Sequence, residues 1–273
     1  MSFTIFGIVQ GRLTQSPPGC LQWFPQESWQ DEYVTASDIG INYIELIAEV
    51  QHNSKNPIWT DDGIEEIKQL VKDNNLTLHA LCNDYIVENL FLKEEVIQQN
   101  IALIKQGKKL GVKKYIMPFF ESSELSIENM QDYVEPLKKV AEAASDGNIT
   151  VCLETILTGQ ELIELLKIIN MPNVKAVYDT GNRVAFGHDL ARDICLLGDH
   201  IAHVHIKDKN DNNENVLLGT GLVNFEKVFD ALHDINYSGP FTFETVRGSN
   251  PIETAKYNIS LVSFFKQNAE LSV

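Results

Sequence analysis

Short apolar runs rich in β-branched and aromatic residues recur along the chain at intervals of roughly 25 to 40 residues, the pattern of buried strands separated by longer elements. Eight strands are predicted, at residues 4–9, 43–47, 76–81, 114–119, 149–154, 174–179, 201–206 and 240–244. Between them, apolar residues at three- and four-residue spacing predict helices, at residues 61–75, 94–111, 128–147, 159–170, 225–236 and 251–268. This alternation indicates an α/β fold.

Eight strand–helix units in 273 residues predict a (β/α)8 barrel (TIM barrel), with a single domain covering residues 1–273. The alternative is an open, doubly wound sheet, which ordinarily carries a G-x-G-x-x-G turn after its first strand. The stretch GIVQGRL, residues 7–13, does not supply that turn, so the barrel is favoured. The long irregular segment at residues 11–28 suits a lid, a substrate wall or a plain surface loop.

Composition directs the search for partners toward small molecules. The chain carries 22 Lys and Arg against 38 Asp and Glu, and its formal net charge of −16 should repel the phosphate backbone of nucleic acids. No apolar run of about 18 residues predicts a membrane span. The cysteines form no C-x-x-C pair, so we expect reduced thiols and a cytoplasmic protein. A homo-oligomer is compatible with the sequence, which holds no obvious dimerisation segment. The four cysteines are Cys20, Cys82, Cys152 and Cys195.

Four predicted strands end in side chains that bind metals: Glu154, Asp179, His205 and Glu244. If strand alternation turns these four residues into the barrel, it turns their apolar neighbours toward the helix layer. All four then lie at or near the C-terminal strand ends, where barrels of this kind hold their active sites. Three buried carboxylates would repel one another, and one divalent ion removes that cost. The ligand types suit Mn²⁺, Mg²⁺, Co²⁺ or Zn²⁺ and do not choose among them.

Taken singly, these residues have ordinary structural alternatives. The sequence DTGN lets Asp179 cap the turn that follows it. A lone glutamate at a strand end is often part of a salt bridge. His203 suits a hydrogen-bonded position in the barrel interior, and Glu45 suits a buried ion pair that serves barrel packing.

Five segments of the second half of the chain are VCLET, AVYDTGNRVAFGHD, IAHVHIKDK, LGTGLVNF and GPFTFET. They resemble the xylose-isomerase-like sugar phosphate isomerase/epimerase superfamily, closest to its L-xylulose/hexulose-phosphate 3-epimerase and ketose 3-epimerase branch. The resemblance implies that Glu154, Asp179, His205 and Glu244 bind one divalent metal. It also implies that the two glutamates are catalytic and exchange the substrate proton from opposite faces. Relatives that act on free ketohexoses tend to carry a histidine where this chain has Asn182.

The activity that the resemblance implies is a metal-dependent sugar or sugar-phosphate isomerase or epimerase. Such an enzyme removes a proton next to a ketose carbonyl through a metal-stabilised enediolate. Superfamily membership leaves other reactions open, namely an inosose dehydratase-type lyase and, against the charge, a phosphodiesterase or AP endonuclease. A sugar-binding barrel without catalysis is a further alternative.

Whether the substrate carries a phosphate stays open at this point. Loops after strands seven and eight, with a helix N-terminus, are the usual phosphate site of these barrels. Lys207, the Gly219–Gly221 loop, and Arg247 ahead of the last helix fit that position, yet ordinary turns and capped helices use the same residue types. The candidate substrate-binding residues are Asn182, His203, Lys207, Arg247 and His79.

Overall fold

A computed structural model describes residues 4–271. Eight parallel strands pair in chain order, and the last pairs with the first, so the sheet closes into a barrel. The predicted (β/α)8 fold is therefore confirmed. The strands are β1 (Phe6–Val9), β2 (Tyr43–Ala48), β3 (Ala80–Asn83), β4 (Lys114–Pro118), β5 (Thr150–Glu154), β6 (Val174–Asp179), β7 (Ile201–Ile206) and β8 (Phe241–Phe243).

Helices connect the strands. All six predicted helices are present. The other four have eight residues or fewer, too few for a helical period to stand out in the sequence. Within residues 4–271, no helix combines the length and hydropathy needed to cross a membrane. The helices are α1 (Asp31–Asp38), α2 (Asp61–Asp73), α3 (Tyr85–Glu88), α4 (Glu94–Leu110), α5 (Met130–Ser145), α6 (Gly159–Ile169), α7 (Thr180–Ala185), α8 (Leu190–Leu197), α9 (Phe225–Asp234) and α10 (Pro251–Leu271).

Side chains alternate along the strands as the barrel requires. Tyr178 of β6 points outward and donates its hydroxyl to the Leu190 carbonyl at the start of α8, over 2.9 Å. Phe241 of β8 also points outward, and its ring centroid lies 5.3 Å from that of Phe229 in α9. The next residue, Thr242, points inward, so that its Oγ1 lies 2.9 Å from His203 Nε2. Apolar side chains therefore fill the layer between strands and helices, and polar ones occupy the barrel interior.

The third strand begins later than its sequence predicts. Periodicity favours residues 76–81, whereas β3 covers residues 80–83. Pairing with the neighbouring strand sets where β3 lies, because β2 pairs with β3 from Leu46 opposite Leu81 to Ala48 opposite Asn83. The preceding residues lie outside the strand and attach through isolated contacts, such as the hydrogen bond from Thr77 N to Asn42 O over 2.9 Å.

Candidate active site

Four buried side chains meet at the C-terminal mouth of the barrel. Glu154 and Asp179 are the last residues of β5 and β6, His205 is the next-to-last residue of β7, and Glu244 follows β8 directly. One nitrogen or oxygen atom of each side chain lies within 4.8 Å of the corresponding atoms of the other three. The structure thus brings together the four residues whose strand-end positions predicted a metal site.

The imidazole of His205 faces all three carboxylates through one nitrogen. Its Nδ1 lies 3.2 Å from Glu244 Oε2, 3.5 Å from Glu154 Oε2 and 3.9 Å from Asp179 Oδ2. The ammonium of Lys207 approaches the same group from the side, 2.7 Å from Glu244 Oε2 and 3.2 Å from Asp179 Oδ2. The predicted contact candidate Lys207 is therefore the counter-charge of the cluster.

Burial and charge shift the titration of the cluster in opposite directions. Burial raises the pKa of Asp179 to about 6, although the Lys207 charge opposes that rise. Burial would also raise the pKa of Glu244, but the charges of Lys207 and His205 outweigh it and hold this pKa well below its usual range. Asp179 and Glu244 thus depend on nearby positive charge to stay ionised in this buried place.

A divalent cation fits the atoms that face one another here. His205 Nδ1, Asp179 Oδ2 and Glu244 Oε2 are buried, and within residues 4–271 none of them forms a hydrogen bond of regular geometry. Both oxygens contact the Lys207 ammonium, and Nδ1 faces three carboxylates. Buried polar atoms normally form regular hydrogen bonds, so three that do not, aimed at a common point, indicate a ligand. Carboxylate oxygens with one imidazole nitrogen are ligands that Mn²⁺, Zn²⁺, Co²⁺ and Mg²⁺ accept.

The second oxygen of each carboxylate is held by the protein. Asn182 Nδ2 donates to Glu154 Oε1 over 2.8 Å, and Asn182 N donates to Asp179 Oδ1 over 2.6 Å. Gln22 Nε2 donates to Glu244 Oε1 over 2.9 Å, and Arg12 Nη2 donates to Gln22 Oε1 over 2.7 Å. Asp179 therefore caps α7 with one oxygen, as its turn chemistry predicted, and its other oxygen faces Lys207 and the cluster.

His205 is oriented from below by Glu45. The Nε2 atom of His205 lies 3.0 Å from Glu45 Oε1, and His203 Nε2 lies 2.8 Å from Glu45 Oε2. Burial would raise the pKa of Glu45, but the charges of His205 and His203 outweigh it and lower this pKa to about 2. An ionised acceptor at Nε2 keeps a proton on that nitrogen, so a metal would take the place of the Nδ1 proton and bind there. The contacts match the buried ion pair anticipated for Glu45.

A cavity of about 640 Å³ opens at the barrel mouth and is lined by three of the four candidate metal ligands. The irregular segment after β1 forms one wall through residues 19–22, so it is a wall of the site. Asn182 and Lys207 line the cavity beside the ligands, and Asp84, which follows β3, lines the opposite part. Two substrate-binding candidates from the sequence, Asn182 and Lys207, are thus positioned to meet a bound molecule.

Three other substrate-binding candidates lie elsewhere. His203 is fully buried between Glu45 and Thr242 in the barrel interior and does not line the cavity. His79 precedes β3 at the opposite end of the barrel, where its ring centroid lies 4.7 Å from that of Tyr43. Burial lowers the pKa of His79 to about 4. Neither imidazole lines the cavity at the mouth, and their roles as substrate contacts stay predictions.

Arg247 has a structural role under the first loop. Its Nε donates to Gly11 O over 2.7 Å, and its Nη1 donates to Cys20 O over 3.3 Å. Arg247 does not line the cavity. In this position the guanidinium fastens the segment that forms the cavity wall, and a substrate contact of Arg247 stays a prediction.

Sequence reasoning gave little weight to Glu45 and none to Gln22. Glu45 carries a usable signal, since a charged residue in an apolar strand that points inward must find a buried partner. Gln22 carries none, because a polar residue in a long loop looks the same whether it faces solvent or a carboxylate.

Comparison with known proteins gives a consistent result. Residues 34–266 match the family model described as "Xylose isomerase-like TIM barrel". The L-ribulose 3-epimerase of Methylomonas sp. is 32% identical over 234 residues, which cover 77% of this chain and 76% of that protein. The probable L-ribulose-5-phosphate 3-epimerase of Mycoplasma pneumoniae is 23% identical over 257 residues, which cover 88% and 84%.

The fold has close structural counterparts. The crystal structure of D-psicose 3-epimerase with D-tagatose from Clostridium cellulolyticum H10 superposes with a TM-score of 0.75. Its sequence identity is 18%, and the match covers 96% of this chain and 99% of that one. At that identity the likeness extends to the barrel and its connections.

Proposed function

The chain belongs to the xylose isomerase-like TIM-barrel family, and from this premise we propose that it is a divalent-metal-dependent epimerase of ketoses or ketose phosphates. The observation that carries the proposal is the convergence of Glu154, Asp179, His205 and Glu244 within 4.8 Å of one another at the barrel mouth. The 3-epimerase names of its relatives support a reaction at the carbon next to the ketose carbonyl.

Those four residues would hold a single Mn²⁺, Zn²⁺, Mg²⁺ or Co²⁺ ion. Three of their inward atoms are buried and form no hydrogen bond of regular geometry within residues 4–271, which supports this assignment. When bound, such an ion polarises the substrate carbonyl and offsets the negative charge that develops on the enediolate oxygens. The chain supplies the remaining chemistry through its own side chains.

We assign proton transfer to Glu154 and Glu244. One glutamate begins as a carboxylate and takes the proton from the carbon beside the carbonyl, and the C–H electron pair enters the enediolate. The other begins as the acid and returns a proton to the opposite face of that carbon, which inverts it. Asn182 and Gln22 hold one oxygen of each glutamate, at 2.8 and 2.9 Å, and so fix which oxygen faces the substrate.

Two wider expectations accompany this proposal. We propose that residues 1–273 form one domain, supported by strands of a single barrel that run from Phe6 to Phe243. We also propose that the protein works in a reducing compartment such as the cytoplasm. All four cysteines are free thiols, and Cys20 and Cys195 are exposed, which supports that placement.

The test is incorporation of solvent deuterium. Metal-stripped protein is incubated in deuterated water with ketoses and their phosphates, with Mn²⁺, Co²⁺, Mg²⁺ or Zn²⁺ added, and the products are examined by NMR. We expect one deuterium at the carbon beside the carbonyl, appearance of the epimer, and loss of both on chelation.

Two variants sharpen this test. Glu244→Gln should abolish exchange with an unchanged far-UV circular dichroism spectrum, whereas Glu226→Gln, an exposed change on α9, should retain it. Wild-type turnover in Glu244→Gln would remove Glu244 from catalysis. Loss of water from the substrate with formation of an absorbing enone product would show that the reaction is that of a lyase and not an epimerase.

A further inference from the structure

The loop that follows β7 places backbone N–H groups around a point where many barrels of this kind bind a phosphate. In this chain that point is filled by the carboxylate of Asp208, which is fully buried. Gly219 N and Gly221 N each donate to Asp208 Oδ2 over 2.9 Å, and Val223 N donates to Oδ1 over 3.0 Å. The protein's own anion therefore occupies the donors that a phosphate would need.

The glycine at position 221 serves this internal contact. A Cβ atom there would lie 2.4 Å from Asp208 Oδ1, closer than real carbon–oxygen contacts allow. The small residue thus permits the carboxylate to reach the loop backbone. The contact with Asp208 thus explains the glycines of the Gly219–Gly221 loop without a bound phosphate.

The second phosphate position, after β8, is also engaged. Arg247 is committed to the carbonyls of Gly11 and Cys20. At the start of α10, Asn250 Oδ1 accepts from the N–H groups of Ile252 and Glu253, each over 3.2 Å. The donors that would hold an anion at this helix start are already satisfied by a cap.

The cavity wall has the wrong charge for a phosphate ester. Apart from the candidate metal ligands, the cavity lining within the described residues has more acidic than basic side chains. Its basic side chains are Lys207 and Lys209. Lys207 is bound to Asp179 and Glu244, and Lys209 Nζ donates to Asn213 Oδ1 over 2.7 Å. A phosphate monoester carries about −1.5 to −2 charges at neutral pH and would be repelled. The acidic residues of this wall are Asp84, Glu88, Glu121 and Glu124.

One of these carboxylates is prepared for a hydroxyl group. Asp84 is only 3% exposed and lines the cavity, and its Oδ2 has no hydrogen-bond partner in the described part of the chain. Its Oδ1 accepts from the Cys82 thiol over 3.3 Å, which holds the side chain in place. A buried oxygen without a partner, facing a cavity, indicates a hydrogen-bond donor on the bound molecule.

We propose that the substrate is an unphosphorylated ketose, one of whose hydroxyl groups donates to Asp84 Oδ2, and that ketose phosphates are excluded by the filled phosphate position and the acidic wall. This inference rests on the proposed epimerase function. It adds to it the substrate class and a residue that determines specificity.

The experiment compares each sugar with its own phosphate. Deuterium exchange is measured in Mn²⁺-loaded protein for L-ribulose against L-ribulose 5-phosphate and for D-fructose against D-fructose 6-phosphate. We expect kcat/KM for the free sugar of the preferred pair to exceed that of its ester by at least about 10-fold, because like charges repel in the cavity. A higher kcat/KM for the ester would overturn this inference and leave the epimerase proposal standing. Exchange with neither class would overturn both.

Two variants test the wall itself. Glu124→Lys should lower the ratio of kcat/KM for the free sugar to kcat/KM for the ester by about 10-fold. The control is Glu95→Lys, which makes the same charge change at an exposed position of α4 outside the cavity and should leave this ratio unchanged. Asp84→Asn should raise KM for the free sugar more than it lowers kcat. Ligand-induced thermal shifts give an independent reading, with stabilisation expected from L-ribulose and none from inorganic phosphate. Stabilisation by phosphate alone would overturn the inference.

Discussion

The contact between Glu45 and His205 offers a direct test of how the metal ligands are prepared. The two side chains meet at 3.0 Å in the fully buried barrel interior, and Glu45 also lies 2.8 Å from His203 Nε2. Glu45→Gln keeps the shape and removes the charge. An amide presents one acceptor and one donor, so it cannot accept from both imidazoles at once.

The expected consequence is weaker metal binding. Loss of a partner that orients a ligating histidine typically costs 10- to 100-fold in metal affinity, which corresponds to about 1.4 to about 2.7 kcal/mol. A carboxylate at Nε2 also makes the imidazole a better donor at Nδ1, and an amide does so less well. We therefore expect the Kd for Mn²⁺ or Co²⁺ to rise by at least about 10-fold.

The assay is calorimetric titration of metal-stripped protein with Mn²⁺, supported by the visible absorption spectrum of the Co²⁺ form. Glu226→Gln, exposed on α9, is the matched control and should bind like the wild type. The unfolding temperature of the stripped variant separates a structural effect from a ligand effect. If Glu45→Gln loses stability but binds Mn²⁺ within 2-fold of the wild-type Kd, the idea that Glu45 prepares His205 is refuted.

Three further predictions concern the ion, the filled phosphate position and a buried carboxyl group. Mn²⁺ at about 100 times its Kd should raise the free energy of unfolding by about 2.7 kcal/mol, and an unchanged thermal transition would contradict the metal site. Asp208→Ala should lose about 3 kcal/mol of stability and recover part of it in sulfate or phosphate, unlike the wild type; absence of recovery would argue against an anion cradle. Burial raises the pKa of Glu32 to about 7 against its two backbone hydrogen bonds from Gly11 and Leu13. Because the folded-state pKa of Glu32 exceeds the unfolded one, its contribution to the free energy of unfolding is fully present below about pH 4.5. This contribution falls by about 3 kcal/mol as the pH rises through about 7. Glu32→Gln should flatten this slope in urea titrations, and an unaltered slope would assign it to other groups.

Much of this protein could be predicted from local patterns. Alternating strand and helix periodicity predicted the closed barrel, and the polar residues at the ends of β5, β6 and β7 and just after β8 predicted the metal cluster. Such features are local, because a strand end and the direction of its side chain follow from the pleat and from the hydrophobic pattern of the same few residues. Because the C-terminal ends of all barrel strands lie at one face, residues far apart in the chain are then expected to meet there.

Other features depended on partners that the sequence does not identify. His79 and Arg247 have the right chemistry for substrate contacts, yet one stacks at the far end of the barrel and the other fastens a loop. β3 begins four residues later than its own periodicity indicates because its register is set by β2. The Gly219–Gly221 loop resembles a phosphate loop, but its donors bind Asp208.

The sequence alone therefore determined the class of fold and the identity of the four metal-binding candidates. Tertiary structure decided which polar groups satisfy one another and which are left facing the cavity. A buried donor or acceptor takes whatever partner the packed chain brings within about 3 Å, and that choice depends on all elements around it.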